Sequence, residues 1–367
     1  MLPLKELYSP AFYDQVGDVF SEIVPGFNKA VFIKKIYSSG FKKMELKERM
    51  RHTTSVLHEF LPAKFPAAAR IIKKAIVQFR KRGWGEGRLE YMFLPDYIEV
   101  YGIDDLDAAT DVIEYTTQFV SCEFAVRPFL LKYEKPMIAQ MQRWAKHENH
   151  KVRRLASEGM RPRLPWGMAV PALKKQPAEV LIVLEQLKTD PSEWVRKSVA
   201  NCLNDIAKDH PVLAVSTAKR WMGISRETDA IVKHGCRTLL KQGHVEVLGL
   251  FSLAHSPNIK LLSYNLSTTK VRIGENLQFT VSIHNKDDRA LTVRLEYGIY
   301  YLRKNGTHSK KVFKISERQF MAGEKATITR KQSFKIITTR KYYPGKHKVS
   351  IIINGREQKT EFFEVLS

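Results

Sequence analysis

Apolar residues recur at intervals of three and four over roughly the first 258 residues, and this period predicts α-helices. The pattern then changes to short runs of alternating apolar and polar residues, separated by turn sequences such as Gly-Glu-Asn and Lys-Asn-Gly-Thr. About seven such strands in a final segment of this length are typical of an immunoglobulin-like β-sandwich. We therefore expect a helical domain at residues 1–258 and a sandwich at residues 259–367.

The helical part contains a repeat. The segments "NHKVRRLASEG", "DPSEWVRKSVANCLNDIAKDHP" and, more loosely, "RETDAIVKHGCRTLLKQGH" begin about 33 to 43 residues apart, a spacing within the range for stacked helical pairs. In the first two, Asn149 and Asp190 are predicted to cap a helix whose Val and Ala residues point inward. Each segment is predicted to be the second helix of a hairpin, so that stacked hairpins form a HEAT-like solenoid with a concave surface.

The helix after Pro191 shows what this surface would carry. One stripe is apolar and is predicted to face the core: Val195, Val199, Cys202, Leu203 and Ile206. The opposite stripe is expected to face solvent: Trp194, Lys197, Asn201, Asp205 and Lys208.

Charge adds a class of partner. The chain has 61 Lys and Arg against 38 Asp and Glu, a formal net charge of +23. Such an excess favours a polyanion, with nucleic acid as the first choice and an anionic membrane surface as the second. Residues 261–367 hold 21 basic and 9 acidic residues, so we expect the sandwich to contact DNA as well.

Other features of the sequence indicate where the protein works. No stretch is apolar enough to span a membrane, and the first residues lack a signal-peptide pattern, so a cytoplasmic protein without membrane contact is predicted. The three cysteines, Cys122, Cys202 and Cys236, are expected to be small buried residues inside helices.

Three acidic residues stand out in this basic background. Glu158 lies four residues after Arg154, and Glu123 lies four residues before Arg127, so ordinary helical ion pairs explain each singly. Together with Asp205 they are predicted on consecutive second helices, where they could converge. Carboxylates repel a phosphate ligand unless it brings a positive centre, such as a base alkylated on a ring nitrogen or the sugar cation formed when its glycosidic bond breaks.

The segments "VRRLASEGMRPRLPWG" and "WVRKSVANCLNDIAKDHP" resemble the AlkC/AlkD superfamily of bacterial alkylbase DNA glycosylases. The resemblance implies a HEAT-like solenoid that binds duplex DNA and hydrolyses the N-glycosidic bond of cationic N3-alkylated bases without a deep base-flipping pocket and without a metal or organic cofactor. It places Glu123, Glu158 and Asp205 as the catalytic carboxylates and Trp166 against the sugar. The implied DNA contacts are Arg127, Arg153, Arg154, Arg161, Arg163, Lys197 and Asn201.

This sequence has three acids and one well-placed tryptophan, whereas the AlkD pattern is one acid and two tryptophans. The difference favours a resemblance to the AlkC branch. It also makes 3-methyladenine and 3-methylcytosine the first candidates for the lesion. We expect Gly159 to end its helix and "MRPRLPWG" to bring Trp166 beside Glu158. We also expect a monomer associated with the nucleoid through DNA. A non-enzymatic helical-repeat scaffold that binds nucleic acid or acidic proteins fits the basic residues equally well.

Overall fold

The computed structural model describes residues 3–38, 40–253, 255–338 and 340–367. By their contacts these residues form two compact units, one of residues 1–209 and 223–235 and the other of residues 210–222 and 236–367. The described α-helices are α1 (Pro10–Ile23), α2 (Lys29–Ile36), α3 (Leu46–His58), α4 (Phe65–Lys81), α5 (Phe93–Tyr101), α6 (Leu106–Thr117), α7 (Val126–Lys132), α8 (Glu134–Trp144), α9 (His150–Gly159), α10 (Pro171–Lys175), α11 (Ala178–Leu187), α12 (Glu193–Asp209), α13 (Pro211–Trp221), α14 (Arg226–Gly235), α15 (Arg237–Gln242) and α16 (Val245–Leu250). Short 3-10 helices cover Leu4–Leu7, Phe41–Lys43 and Leu89–Met92.

The three predicted second helices are confirmed as α9, α12 and α14, and they pack side by side in that order. The Asn149 side chain caps α9 by accepting from the Lys151 amide at 2.9 Å, as predicted. Asp190 accepts from the Ser192 amide at 2.8 Å at the start of α12. The apolar stripe predicted along α12 is buried along its whole length. The spacing of apolar residues by three and four therefore predicted both where these helices lie and which face of α12 is buried.

The second unit contains a β-sandwich. Its strands are β1 (Ile259–Leu266), β2 (Lys270–Arg272), β3 (Asn276–Asn285), β4 (Leu291–Leu302), β5 (His308–Phe320), β6 (Lys325–Ser333), β7 (Gly345–Ile353) and β8 (Arg356–Leu366). One sheet has the order β1-β3-β6 and the other β2-β8-β7-β4-β5, and β2 runs parallel to β8. Alternate residues of β3 are buried in the shared core, as its sequence pattern predicts.

Three helices, α13, α15 and α16, group by their contacts with the sandwich unit although they precede residue 259 in the chain. The division into domains at residues 1–258 and 259–367 therefore stays a prediction. Among the described residues, no helix has the length and apolar character needed to cross a lipid bilayer.

The cysteines are all buried and free of disulfides, as expected. The prediction that each lies inside a helix is wrong for two of them. Cys122 lies in the turn before α7, and Cys236 lies between α14 and α15.

Candidate active site

The three predicted acids belong to one chain of alternating charges in the helical unit. Arg154 Nη1 lies 2.7 Å from Glu123 Oε2, and Arg154 Nη2 lies 3.8 Å from Glu158 Oε2. Arg161 then joins Glu158, at 2.8 Å, to Asp205, at 2.9 Å. The expected convergence is therefore present, but two arginines separate the carboxylates.

The chain becomes more buried from Glu123 to Asp205. The side chains of Glu123, Glu158 and Asp205 are 19%, 7% and 1% exposed. Polar neighbours satisfy the deeper acids, since Ser198 Oγ donates to Glu158 at 2.6 Å and Lys208 Nζ donates to Asp205 at 3.1 Å. A buried carboxylate needs such partners because an unpaired buried charge is costly. Glu123 is thus the acid best placed to meet a ligand.

Local structure explains where each acid lies. Glu158 and Asp205 lie on α9 and α12, which pack together, as predicted. Glu123 lies instead in the turn before α7, so its predicted helical pairing with Arg127 is wrong. Asp205 is fully buried, so its predicted place on the solvent-facing stripe of α12 is also wrong. Asp205 is buried because it pairs with Arg161, 44 residues earlier in the chain.

Arg161 is buried, and its predicted role as a phosphate contact is not supported by this position. Burial alone would lower the pKa of its guanidinium, but Glu158 and Asp205 hold that pKa above the ordinary value. Arg161 therefore stays charged and acts as the bridge between two buried carboxylates.

The loop that carries Trp166 is held by two cations from other helices. Lys47 Nζ, on α3, donates to the Trp166 carbonyl at 2.6 Å. Arg127, on α7, donates to the carbonyls of Gly159 at 2.9 Å and Arg161 at 3.0 Å, and to that of Met168. The loop is thereby fixed at both of its ends.

Trp166 has a backbone φ of +64°, which is uncommon for a residue with a side chain, and its indole is exposed. The two cations stabilise this conformation.

Arg127 is 1% exposed, so its prediction as a DNA contact is wrong: it donates to backbone carbonyls instead. Burial lowers the pKa of its guanidinium to about 10, which leaves it charged at neutral pH. Gly159 ends α9 as expected, but its φ is negative. Glycine is needed there because a Cβ would lie 2.6 Å from Val126 Cγ2 of α7.

A cleft of about 910 Å³ adjoins the chain of charges within the helical unit. Glu123 and Trp166 both line it, together with residues of α3, α5 and the segments before α5 and α7. Glu158 is not among its lining residues in the described part of the chain, so Trp166 shares a site with Glu123 rather than with Glu158. The volume lies in the range of ligand-binding clefts.

The remaining predicted DNA contacts differ in accessibility. Arg153 binds Asp190 with two hydrogen bonds, of 2.6 and 3.0 Å, and so links α9 to the segment before α12. Arg163 is partly exposed but paired with Asp209 at 2.7 Å. Lys197 is exposed on α12, and the half-exposed Asn201 contacts His234 Nε2 at 3.0 Å. Lys197, Asn201 and Arg163 are therefore the predicted contacts that reach the surface.

Trp194, predicted on the solvent-facing side of α12, is partly exposed and lies beneath the Arg154 guanidinium, 4.4 Å from the ring centroid. Arg154 itself is largely enclosed between this ring and Glu123. Trp144 and Trp221 are buried in the packing of their units.

Sequence patterns did not indicate Lys47, Ser198 or the bridging role of Arg161. Lys47 precedes Trp166 by 119 residues, and no local period relates them. Ser198 occupies a position that also fits an ordinary inward-facing small residue. Within the described ranges, no three or more His, Cys, Asp or Glu side chains are grouped to hold a metal ion.

Comparison with known proteins identifies the family. Residues 106–216 match the family model of DNA alkylation repair enzymes, and residues 260–367 match the C-terminal Ig-like domain of the uncharacterised protein YhaZ. The uncharacterised protein YhaZ of Bacillus subtilis (strain 168) is 42% identical over 365 residues, which cover both chains completely. The alkylpurine DNA glycosylase AlkC of Pseudomonas fluorescens, solved with DNA that contains an abasic site analogue, is 31% identical, with complete coverage of both chains and a TM-score of 0.93.

The chain belongs to the AlkC branch of the AlkC/AlkD superfamily. The predicted architecture, a HEAT-like helical repeat followed by an immunoglobulin-like domain, is confirmed for this AlkC-branch chain. The chain of charges and the cleft both lie within its helical unit.

Proposed function

We propose that this protein is a monofunctional alkylbase DNA glycosylase that hydrolyses the N-glycosidic bond of cationic N3-alkylated bases, with 3-methyladenine and 3-methylcytosine as the first candidates, in duplex DNA. One observation carries the proposal: in a chain of net charge +23, three carboxylates are gathered beside an open cleft, within a fold that matches AlkC over its whole length. A protein that only bound phosphates would gain no affinity from a carboxylate at the cleft, such as that of Glu123.

The chemistry follows from the accessibility of the acids. When the bond between C1′ and the base nitrogen breaks, its electron pair goes to the base, which becomes neutral, while positive charge develops on the sugar. Glu123 lies at the cleft and would face that cation, and its carboxylate can accept the proton of the water whose oxygen bonds to C1′. Glu158 contacts Arg154, and Arg161 joins Glu158 to Asp205, so these two deeper acids would hold Arg154 and Glu123 in position. The indole of Trp166 would contact the sugar.

DNA would bind on the second helices. Lys197 of α12 lines a shallow groove with Arg226 and His234 of α14. Asn201 contacts His234, and Arg163 pairs with Asp209 at the end of α12. These groups can meet phosphates, as expected for a sequence-independent contribution to affinity. The basic sandwich domain would add further backbone contacts. Residues 338–348, one of its basic segments, include Thr339, which lies outside the described residues.

The experiment that tests the proposal is release of free base from methylated duplex DNA under single-turnover conditions, without added metal or cofactor. We expect Glu123→Gln to lower the rate by about 10²–10³, the usual effect of removing one charge-stabilising group. DNA affinity should be equal or greater, because a carboxylate near phosphates has been neutralised. Glu158→Gln should also lower the rate.

Glu148→Gln is the matched control, since Glu148 is an exposed acid of the same helical unit, next to the start of α9. It should leave the rate unchanged. If the wild-type protein binds DNA but releases no base, the scaffold hypothesis replaces the enzyme. If Glu123→Gln behaves like Glu148→Gln, Glu123 has no part in the chemistry.

A further inference from the structure

The turn between α6 and α7 holds two polar side chains on either side of a buried cysteine. Cys122 is fully buried, its amide donates to Thr117 Oγ1 at 3.4 Å, and its thiol contacts the Ile113 carbonyl at 3.8 Å, both on α6. Its neighbours Ser121 and Glu123 are half-buried and line the cleft. The cysteine therefore anchors the turn, and the two polar neighbours lie where they can contact each other.

The hydrogen bonds of Ser121 have a fixed direction. Arg154 Nη1 lies 3.1 Å from Ser121 Oγ and 2.7 Å from Glu123 Oε2, and Ser121 Oγ bonds to the same Oε2 atom. A guanidinium can only donate, and an ionised carboxylate can only accept. The hydroxyl of Ser121 therefore accepts from Arg154 and donates its single proton to Glu123.

Both donors bind the same oxygen of Glu123. Ser121 and Arg154 bond to Oε2, whereas Oε1 has no hydrogen-bond partner among the described residues. The side chain is 19% exposed and lines the cleft, so Oε1 is the oxygen left to meet a ligand. One oxygen of the carboxylate is thus held by the protein, and the other is available for chemistry.

Arg154 is also held by contacts that do not involve Ser121. Its guanidinium lies on the ring of Trp194, 4.4 Å from the centroid, and its Nη2 lies 3.8 Å from Glu158 Oε2. These contacts keep Arg154 in place when Ser121 is changed. A small substitution at Ser121 therefore removes one contact of Glu123 and leaves the other.

A single donor would not fix the carboxylate. The last torsion of a glutamate side chain has a broad energy minimum, so the carboxylate turns easily about its bond to Cγ. Arg154 alone holds one oxygen from one direction. The Ser121 hydroxyl adds a second direction at the same oxygen, and the two bonds together restrict this rotation.

We propose that Ser121 is a positioning residue, whose hydroxyl fixes the rotation of the Glu123 carboxylate so that Oε1 takes part in the reaction. The inference rests on the proposed function, in which Glu123 faces the sugar cation and accepts a proton from the attacking water. That proton goes to Oε1, the water oxygen bonds to C1′, and the electron pair of the broken bond goes to the base.

The first test compares single-turnover release of 3-methyladenine from duplex DNA by the wild type and by Ser121→Ala. We expect the rate to fall about tenfold or more, the factor that corresponds to a hydrogen bond to a charged group, while DNA affinity stays close to that of the wild type. Ser121→Thr keeps the hydroxyl, and its extra methyl has room in the cleft, so it should recover most of the rate.

Ser21→Ala is the matched control, because Ser21 is an exposed serine of α1 whose hydroxyl donates to the Gly17 carbonyl at 2.8 Å. It should leave the rate unchanged. If Ser121→Ala behaves like Ser21→Ala, or if Ser121→Thr loses as much activity as Ser121→Ala, the hydroxyl of Ser121 does not position Glu123.

The second test asks whether Ser121 acts through Glu123. In the Glu123→Gln background there is no carboxylate to orient, so adding Ser121→Ala should change the remaining rate by no more than about twofold. A further tenfold loss in the double variant would show that Ser121 acts on the substrate directly and would overturn its role as a positioning residue.

Crystal structures of the wild type and of Ser121→Ala separate this inference from the proposed function. We expect the Glu123 carboxylate to turn or to occupy two conformers in the variant, with Arg154 still on the ring of Trp194. If the wild type excises the lesion and Glu123 is unmoved in Ser121→Ala, the enzyme stands and the positioning role is wrong. If the wild type releases no base while the carboxylate turns in the variant, the proposed function fails and the hold of Ser121 on Glu123 is upheld.

Discussion

Replacing Arg161 by methionine tests whether the buried chain of charges is structural. Arg161 is in contact with Glu158 at 2.8 Å and with Asp205 at 2.9 Å, and all three side chains are at most 10% exposed. Removing one member of such a group typically costs about 3–5 kcal/mol, because the remaining charge stays buried without a partner. Ser198 and Lys208 still hold the two acids, so we expect the lower end, about 3 kcal/mol.

Urea unfolding at neutral pH measures this loss as a shift of the midpoint at constant slope. Arg163→Met is the matched control, since Arg163 also binds an aspartate but is partly exposed, and it should lose less than about 1 kcal/mol. The double variant Arg161→Met/Asp205→Asn should recover part of the stability, because one of the stranded charges is gone.

If Arg161→Met is as stable as Arg163→Met, while its DNA affinity falls and its salt dependence weakens by about one counterion, Arg161 is a phosphate contact after all. The assignment of Arg161 as a buried bridge would then be refuted.

Three further predictions concern single contacts. Lys47→Met removes the donor to the Trp166 carbonyl, so it should lower kcat and increase the motion of Trp166 seen by fluorescence anisotropy. Lys47→Arg keeps a donor and should restore kcat and anisotropy. Anisotropy equal to that of the wild type in Lys47→Met would contradict this. Gly159→Ala should cost about 1–3 kcal/mol in thermal unfolding, because its Cβ would lie 2.6 Å from a valine methyl, while Gly249→Ala, with open space, should be neutral or stabilising. Burial raises the pKa of Asp96, so between the pKa values of the unfolded and folded states its carboxyl group is protonated in the folded protein and ionised in the unfolded chain. The free energy of unfolding of the wild type therefore falls as the pH rises through that interval. Relative to wild type, Asp96→Asn should be more stable at pH 7 than at pH 4 in urea titrations.

The sequence was sufficient for those features that depend on local periods. The three-and-four spacing along α12 gave its buried stripe, and the alternation along β3 gave its inward face. The cap Asn149 follows from a short-range hydrogen bond and was also correctly predicted, whereas Asp190 accepts from the amide of Ser192, which precedes α12.

Pairing at long range could not be derived in the same way. A helical surface position suits Asp205 by period, but Arg161, 44 residues earlier in the chain, draws its carboxylate into the interior. From sequence alone, an arginine in a basic protein is predicted to contact phosphate, because its partners in the fold are unknown. In the structure Arg127 donates to a backbone carbonyl and Arg161 to a carboxylate. The sequence therefore identified the acids and left their arrangement to the tertiary structure.

The alternation of sign from Glu123 to Asp205 also decides how the acids affect approaching DNA. Three carboxylates and two guanidiniums sum to a single negative charge, and Lys208 beside Asp205 cancels that one. Physiological salt screens a charge over about 8–10 Å, and at that distance the chain of charges together with Lys208 has almost no net effect. The phosphates of DNA are therefore attracted by the surrounding lysines and arginines alone. The acids then act only over atomic distances, on whatever has already reached the cleft, and the rate of association with DNA is left to the basic surface.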